Sequence, residues 1–501
     1  MATIPGPRAV AVTLTGLILV GITAWYILIL LRDPPPPPPR CDPGLQEEGP
    51  ECVGVSDVSD FGDPLLADVM AKIAAANSKV TGAHYSIGYL VPLEPPEART
   101  SFSAELRHEL QGVYLAQVRT NESAEIEGGG FPVQVFVGNA GVENEHWSAV
   151  VPKFQEMTDG PDRLRAVAGL GNSLESTQEA IEALTGPSPG TPPIAVVGSR
   201  ATADTLSRDP SDRFVDGFFR VTPTNTDEAV AASSYMRKNG FVQPLLIRDT
   251  KTDDVYSRTL GEAFRTAFLP MREKTYDSSK DAVRGAFGSI TRDICDNPPD
   301  SIYFAGRGEA LADLVDVLSN RSCQDSPITI FTGDDIAGVR DRAQNGDVGV
   351  RAALATNVKV FYTGLAHPGM WGTNESRSSY SAAALAYFED TDCCFARLFP
   401  NDRLDDGAAI MGHDALVLAV TGIRRAGELN SSGGAAEVST SAVIQLLYQV
   451  QGVDAIRAAS GEISMSACGD AEGKLFPLLS LAADGSSSLV DQIRAGAPLA
   501  C

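Results

Sequence analysis

No residue set in this chain has the spacing of a known catalytic centre. There is no G-x-S-x-G nucleophile elbow, no H-E-x-x-H zinc motif, no phosphate-binding P-loop and no full G-x-G-x-x-G. The run Gly169-Leu170-Gly171 is a fragment of the last and reads as a tight strand-to-helix turn. The five histidines, His84, His108, His146, His367 and His413, lack metal-ligand spacing, and no cysteine pair is C-x-x-C. These read as surface or internally satisfied side chains, and no cofactor is expected. Binding chemistry fits better. Ser173, the pair Ala201 and Thr202, Tyr256, the pair Gly306 and Arg307, and Asp334 each fall just after a strand pattern or at a helix start. Free backbone N–H groups and a hydroxyl at such a place suit a carboxylate. An acid such as Asp334 suits an ammonium, and Arg307 suits either an anionic ligand or a latch between two bodies. Other acids at element boundaries, including Asp253 and Asp254, read as helix caps.

The elements that must hold these residues alternate. Strand patterns run over Tyr85–Leu93, Phe131–Gly138, Leu164–Leu170, Ile194–Gly198 and Gly217–Val221, then Val242–Asp249, Ser301–Ala305, Ile328–Thr332 and Asn357–Tyr362. Helical patterns follow most of them, as at Glu105–Arg119, Trp147–Met157, the run after Tyr256, and Ala310–Ser319. Later helices are expected over Tyr380–Phe388 and Asp414–Ala426, and an earlier one over Asp63–Ser78. Such alternation implies parallel sheets with helices on both faces. In doubly wound sheets ligands sit beyond the carboxyl ends of the strands. Ser176 to Glu179 fits a capping box, and Thr224 or Asn225 caps the helix after Pro223.

The stretch FFRVTPTNTDEAV, with Phe218, Phe219, Arg220, Val221 and Pro223, is the most distinctive. It resembles the crossover between the lobes of type I periplasmic-binding-fold proteins, the branched-chain amino-acid receptors that serve ABC transporters. Weaker matches are Gly112 in the first helix, the turn at Ser173, Ala201-Thr202, Tyr256, and the helix after His413, where the family has Tyr. The run from Gly461 to Gly485 resembles its final hairpin, with Gly469 to Gly473 as the turn. The resemblance covers roughly Ala83 to Val490. It implies a two-lobed α/β fold that closes by a hinge on a small amino-acid-like or carboxylate ligand. It also implies that Ser173, Ala201 and Thr202 contact the ligand's carboxylate and amine. The chain departs from the pattern at Ser257, where the family has Gly, at Ser103 to Glu105, where it has Tyr, and at Arg307.

The implied order is a short N-terminus at 1–8, a transmembrane helix at 9–31, and a proline-rich spacer and lead-in at 32–82. The first lobe takes 83–220 and 366–460, and the second takes 221–365 and 461–501. Ala9 to Leu31 is an uncharged run between Arg8 and Arg32, long enough to span a bilayer and too long for a signal-peptide core. Pro34 to Pro39 makes a polyproline spacer. The body is therefore expected outside the cytoplasm on a single-pass anchor. A net charge of -24 repels nucleic acid and anionic membrane surfaces. Eight cysteines behind an export-type N-terminus imply disulfides. Locality pairs Cys41 with Cys52 and Cys295 with Cys323, and leaves Cys468 and Cys501 for Cys393 and Cys394. Three functions compete: a solute receptor feeding an ABC permease, a membrane-tethered sensor acting through a signalling partner, and an assembly scaffold.

Overall fold

The computed structural model describes residues 41–96, 100, 102–122, 130–186, 191–209, 211–372, 377–430 and 438–496. The expected membrane helix, the hexaproline and Cys501 lie outside the described residues. Among the described residues no helix is long and apolar enough to cross a membrane.

Two seven-stranded sheets organise the body. The first contains β1 (Gln46–Glu48), β2 (Glu51–Ser56), β3 (Tyr85–Val91), β4 (Val133–Asn139), β5 (Leu164–Gly169), β6 (Ala195–Gly198) and β7 (Phe218–Arg220), in the order β1-β2-β4-β3-β5-β6-β7. The second contains β8 (Pro244–Asp249), β9 (Arg272–Tyr276), β10 (Ser301–Ala305), β11 (Ile328–Thr332) and β12 (Val358–Thr363). It is completed by β15 (Leu475–Leu481) and β16 (Ser487–Arg494), in the order β16-β15-β12-β11-β10-β8-β9. A separate hairpin joins β13 (Ile456–Ala458) to β14 (Gly461–Ile463). From β3 to β7, and again from β8 to β12, neighbouring strands are parallel. Each sheet is covered on both faces, which is why its strands read as continuous apolar runs. On β3, Tyr85, Ile87, Tyr89 and Val91 enter one core and Leu90 the other. On β10, Ile302 and Phe304 face one way, and Tyr303 and Ala305 the other.

The chain passes between the sheets three times, after β7, after β12 and before β15. At the first passage Thr224 caps the helix Asn225–Lys238. Its Oγ1 accepts from Asp227 N at 3.1 Å, and Thr224 N donates to Asp227 Oδ2 at 3.0 Å. After the second passage the helix Ala408–Asn430 returns to the first lobe and packs on the helix Phe102–Glu122. The contact is close because both sides carry glycine. A Cβ on Gly112 would stand 1.8 Å from Ala409 O, and one on Gly412 would stand 2.3 Å from Glu109 O.

Several expectations need correction. The lead-in is not a spacer ahead of the fold, since β2 pairs antiparallel with β4 and extends the first sheet. The edge hairpin β1-β2 is made of strands too short to show a periodicity that can be read in advance. The helix Glu175–Thr185 has no capping box: Leu174 occupies the N-cap, and Ser176 Oγ instead donates to Glu143 O. The last hairpin turns through Ala482–Ser486, where Ala482 N donates to Ser486 O at 2.9 Å. Gly469 to Gly473 instead closes a small loop ahead of β15, around the bridge between Met465 and Ala471. Cys41–Cys52 and Cys295–Cys323 are bonded as expected, but Cys393 bonds to its neighbour Cys394. Cys393 is extended and Cys394 has φ +59°, and this bend between them brings the adjacent side chains together. Cys468 is buried and disulfide-bonded.

Candidate functional site

The loops after the parallel strands of both sheets meet in one cleft, the place where this topology puts ligands. In the first lobe Gly169, Leu170 and Gly171 turn with φ of +99°, +81° and +65°. Gly169 needs that freedom, since a Cβ there would lie 2.5 Å from Leu90 O. The turn delivers Ser173, whose Oγ accepts from Thr202 N at 3.1 Å and Ala203 N at 3.2 Å. These are the backbone donors expected to hold a carboxylate, and a hydroxyl of the same lobe fills them. Ala201 faces away from the cleft: its carbonyl accepts from Arg220 Nη1 and Thr222 Oγ1, each at 3.1 Å, and so fixes the loop to the crossover.

The second lobe supplies the other side. Ser173 O accepts from Tyr256 N at 3.3 Å and from Arg307 Nη2 at 2.8 Å, both across the cleft. Thr202 Oγ1 lies 3.5 Å from Asp334 Oδ1. Tyr256 OH accepts from Asp335 N at 3.1 Å. Ser173, Thr202, Tyr256, Arg307 and Asp334 therefore converge from opposite lobes. Gly306 does not join them. Its bare Cα lets Tyr276 pack close, for a Cβ would stand 2.0 Å from that phenol oxygen.

Arg307 is the residue that departs most from a simple pocket. Its guanidinium lies 4.6 Å from the centre of the Tyr256 ring. It donates to Asp254 through Nε at 2.9 Å and Nη2 at 2.6 Å, and lies 3.4 Å from Asp335. Asp254 also caps the helix Val255–Ala267, accepting from Ser257 N and Oγ. Burial opposes ionisation of Asp254, yet Arg307 and the cap hold its carboxyl below the usual range. Arg307 thus latches the lobes through Ser173 O. A second bridge runs from Lys251 Nζ to Glu143 Oε1 at 3.3 Å.

Two of the spaces between the lobes adjoin these residues. At the mouth of the cleft is a cavity of ≈340 Å³, walled by Pro92, Asn172, Lys251, Ser278, Arg307 and Asp335 among others. At its floor is one of ≈10 Å³, walled by Glu105, Arg200, Asp334, Arg340, Tyr362 and Met411 among others. Glu105, Arg200, Arg340 and Glu228 were not singled out from sequence. Charged residues at helix starts and strand ends usually serve as caps or face water, and nothing in their spacing marked them.

Burial pushes the Asp334 carboxyl up to about 6, with the charge of Asp335 adding to it and Arg200 and Arg307 opposing. Burial and then Asp334 raise Glu228 well above its usual value. The pair titrates as a unit. A native acid raised above its unfolded value binds the proton more tightly when folded, so stability falls as pH rises from about 4 through about 6. Asp334→Asn is fixed in the neutral form. Its Tm should drop less than the wild type's between pH 4.5 and 7.5. Equal slopes would show that Asp334 is not held protonated.

Two of the histidines are each paired with a carboxylate. His413 Nδ1 pairs with Asp414 Oδ1 at 2.7 Å, and His108 Nδ1 with Asp406 Oδ2 at 2.5 Å. Among the described residues there is no cluster of three or more metal-ligating side chains.

No family model and no curated protein matches the sequence. Solved structures do match the fold. A leucine-binding protein from Thermotoga maritima superposes with a TM-score of 0.58 at 16% identity, over 82% of this chain and 98% of that one. The branched-chain amino-acid transporter substrate-binding protein of Streptococcus pneumoniae, in complex with isoleucine, gives 0.57 at 16% identity over 82% and 100%. An ABC-transporter solute-binding protein from Rhodopseudomonas palustris, in complex with 4-hydroxybenzoate, gives 0.56 at 12% over 82% and 98%. The chain therefore has the two-lobed α/β fold of ABC-transporter substrate-binding proteins, the type I periplasmic-binding fold.

Proposed function

We propose that this chain is an extracytoplasmic solute receptor that binds a small amino-acid-like or other carboxylate ligand between its lobes and closes by a hinge. The observation that carries this is the meeting of Ser173 and Thr202 with Tyr256, Arg307 and Asp334 across the cleft, at the carboxyl ends of both sheets. Support for the ligand class comes from the isoleucine and 4-hydroxybenzoate held by proteins of the same fold. Binding rather than turnover suits a cleft whose polar groups pair with one another. On this reading an ABC permease is the partner, and the run Ala9 to Leu31 holds the body at the membrane through a single span.

The latched cleft favours one alternative, a scaffold that needs no solute to stay shut. A thermal-shift panel of amino acids, their amides, and aliphatic and aromatic carboxylates separates the two. The receptor reading expects at least one carboxylate to stabilise the chain, by about 2.7 kcal/mol at a hundred times its dissociation constant. Arg307→Ala should strengthen that binding by releasing the latch. No shift with any member of the panel favours the scaffold.

A further inference from the structure

The floor of the cleft holds an arrangement that neither the resemblance nor the latch accounts for. Glu105 sits in the first turn of the helix Phe102–Glu122, on the first lobe, and is 5% exposed. Its Oε2 accepts from Arg200 Nη2, on the loop after β6 of the same lobe. Its Oε1 accepts from Arg340 Nη1 at 2.8 Å, and Arg340 belongs to the helix Ala337–Gln344 of the second lobe. One carboxylate thus joins two guanidinium groups across the lobes.

The arginines have donors to spare. Arg340 spends Nη2 on Tyr362 OH at 3.1 Å, but its Nε has no hydrogen-bond partner among the described residues, and neither has Arg200 Nη1. Both residues line the floor cavity, and Arg340 is only 7% exposed. Buried N–H donors without partners carry a desolvation penalty. A planar acid group matches the guanidinium fork and removes it.

We propose that Arg200 and Arg340 form a carboxylate subsite at the floor of the cleft, and that Glu105 fills it in the closed chain in place of a ligand's acid group. The floor cavity that Glu105 shares with both arginines has ≈10 Å³, room for about one water, while a cavity of ≈190 Å³ between the lobes is lined by Glu105 and Arg340 but not by Arg200. A ligand acid therefore reaches both arginines only when Glu105 swings aside. Asp334, on the same wall, is held toward its neutral form by burial and so repels an incoming acid less. The inference deepens the receptor reading by naming an acid group as the part of the ligand that reaches the hinge side.

The test reads the rescue of a variant by formate or acetate and not the response of the wild type to a solute, so the subsite can fail while the receptor reading stands, and the reverse. Glu105→Ala in the full chain empties the place between the arginines. Its Tm should fall below that of the wild type and then rise saturably with formate or acetate. Formamide, acetamide and chloride at equal ionic strength should have no such effect, and the wild type should respond much less than the variant. Adding Arg340→Gln to Glu105→Ala should abolish the rescue. Should Glu105→Ala not fold, Glu105→Ser empties the same place with a small polar side chain and is expected to show the same carboxylate-specific rise. A variant that responds equally to acetate and acetamide, or no more than the wild type does, overturns the proposal.

Discussion

Arg220→Ala should destabilise the folded chain by about 3–5 kcal/mol, the usual cost of leaving a buried charge without its partner. Arg220 is the last residue of β7 and is 0% exposed. Its Nε donates to Asp470 Oδ1 at 2.6 Å, and its Nη1 to the carbonyls of Ala201 and Ala203 at 3.1 and 2.8 Å. One side chain thereby ties the crossover strand, the Thr202 loop and the passage back into the second sheet. The same passage touches β7 again where Arg220 N donates to Gly469 O at 3.0 Å. Truncation strands the Asp470 carboxylate at 2% exposure, while the carbonyls of Ala201 and Ala203 keep Thr222 Oγ1 and Leu206 N. Urea denaturation with an unchanged slope would read the loss directly. Arg220→Lys restores the charge but not the fork, and should recover only part. A loss under about 1 kcal/mol, the scale of an exposed pair, would mean that Arg220 does not hold these segments together.

Gly112→Ala should cost about 1–3 kcal/mol or more, because the methyl enters a backbone carbonyl and not a side chain that can turn away. The Cβ would lie 1.8 Å from Ala409 O, so the helices Phe102–Glu122 and Ala408–Asn430 must separate. Glu105 and Glu109 ride on the first of these helices, so ligand binding should weaken together with stability. Gly285→Ala and Gly288→Ala are the controls. Both lie in the helix Val283–Asp296 with nothing within 4 Å of the added Cβ, and each should stabilise by roughly 0.5–1 kcal/mol. A Gly112→Ala variant that melts with the wild type would show that the helices do not pack this closely.

The fold was legible because its parallel strands are buried on both faces and each stands as an apolar run between turn signals. The crossover was the clearest case: Phe218, Phe219 and Arg220 read correctly as a strand, and of the two caps the sequence offered, Thr224 and Asn225, the structure uses Thr224. Ser173, Thr202, Tyr256 and Asp334 were legible as a set because ligands in such sheets gather at strand ends. What they do to one another was not. Ser173 Oγ spends itself on the Thr202 loop, and only the approach of the two lobes puts Arg307 on Ser173 O. The floor of the cleft was out of reach for the same reason. Glu105 and Arg340 stand 235 residues apart, and each alone looks like an ordinary charge near a helix start. The Cys393–Cys394 bond escaped because it depends on one positive φ, which no neighbouring glycine announced.

The most direct measurement is a crystal structure of the body with the first carboxylate that raises its Tm. The ligand should lie between the lobes, within hydrogen-bond reach of Thr202 or the backbone after it on one side, and of Asp334 or Arg340 on the other. Arg307 should have left Ser173 O, or Glu105 should have left Arg340. Ligand density on an outer surface, with Arg307 still on Ser173 O and Glu105 still bridging Arg200 and Arg340, would contradict the account.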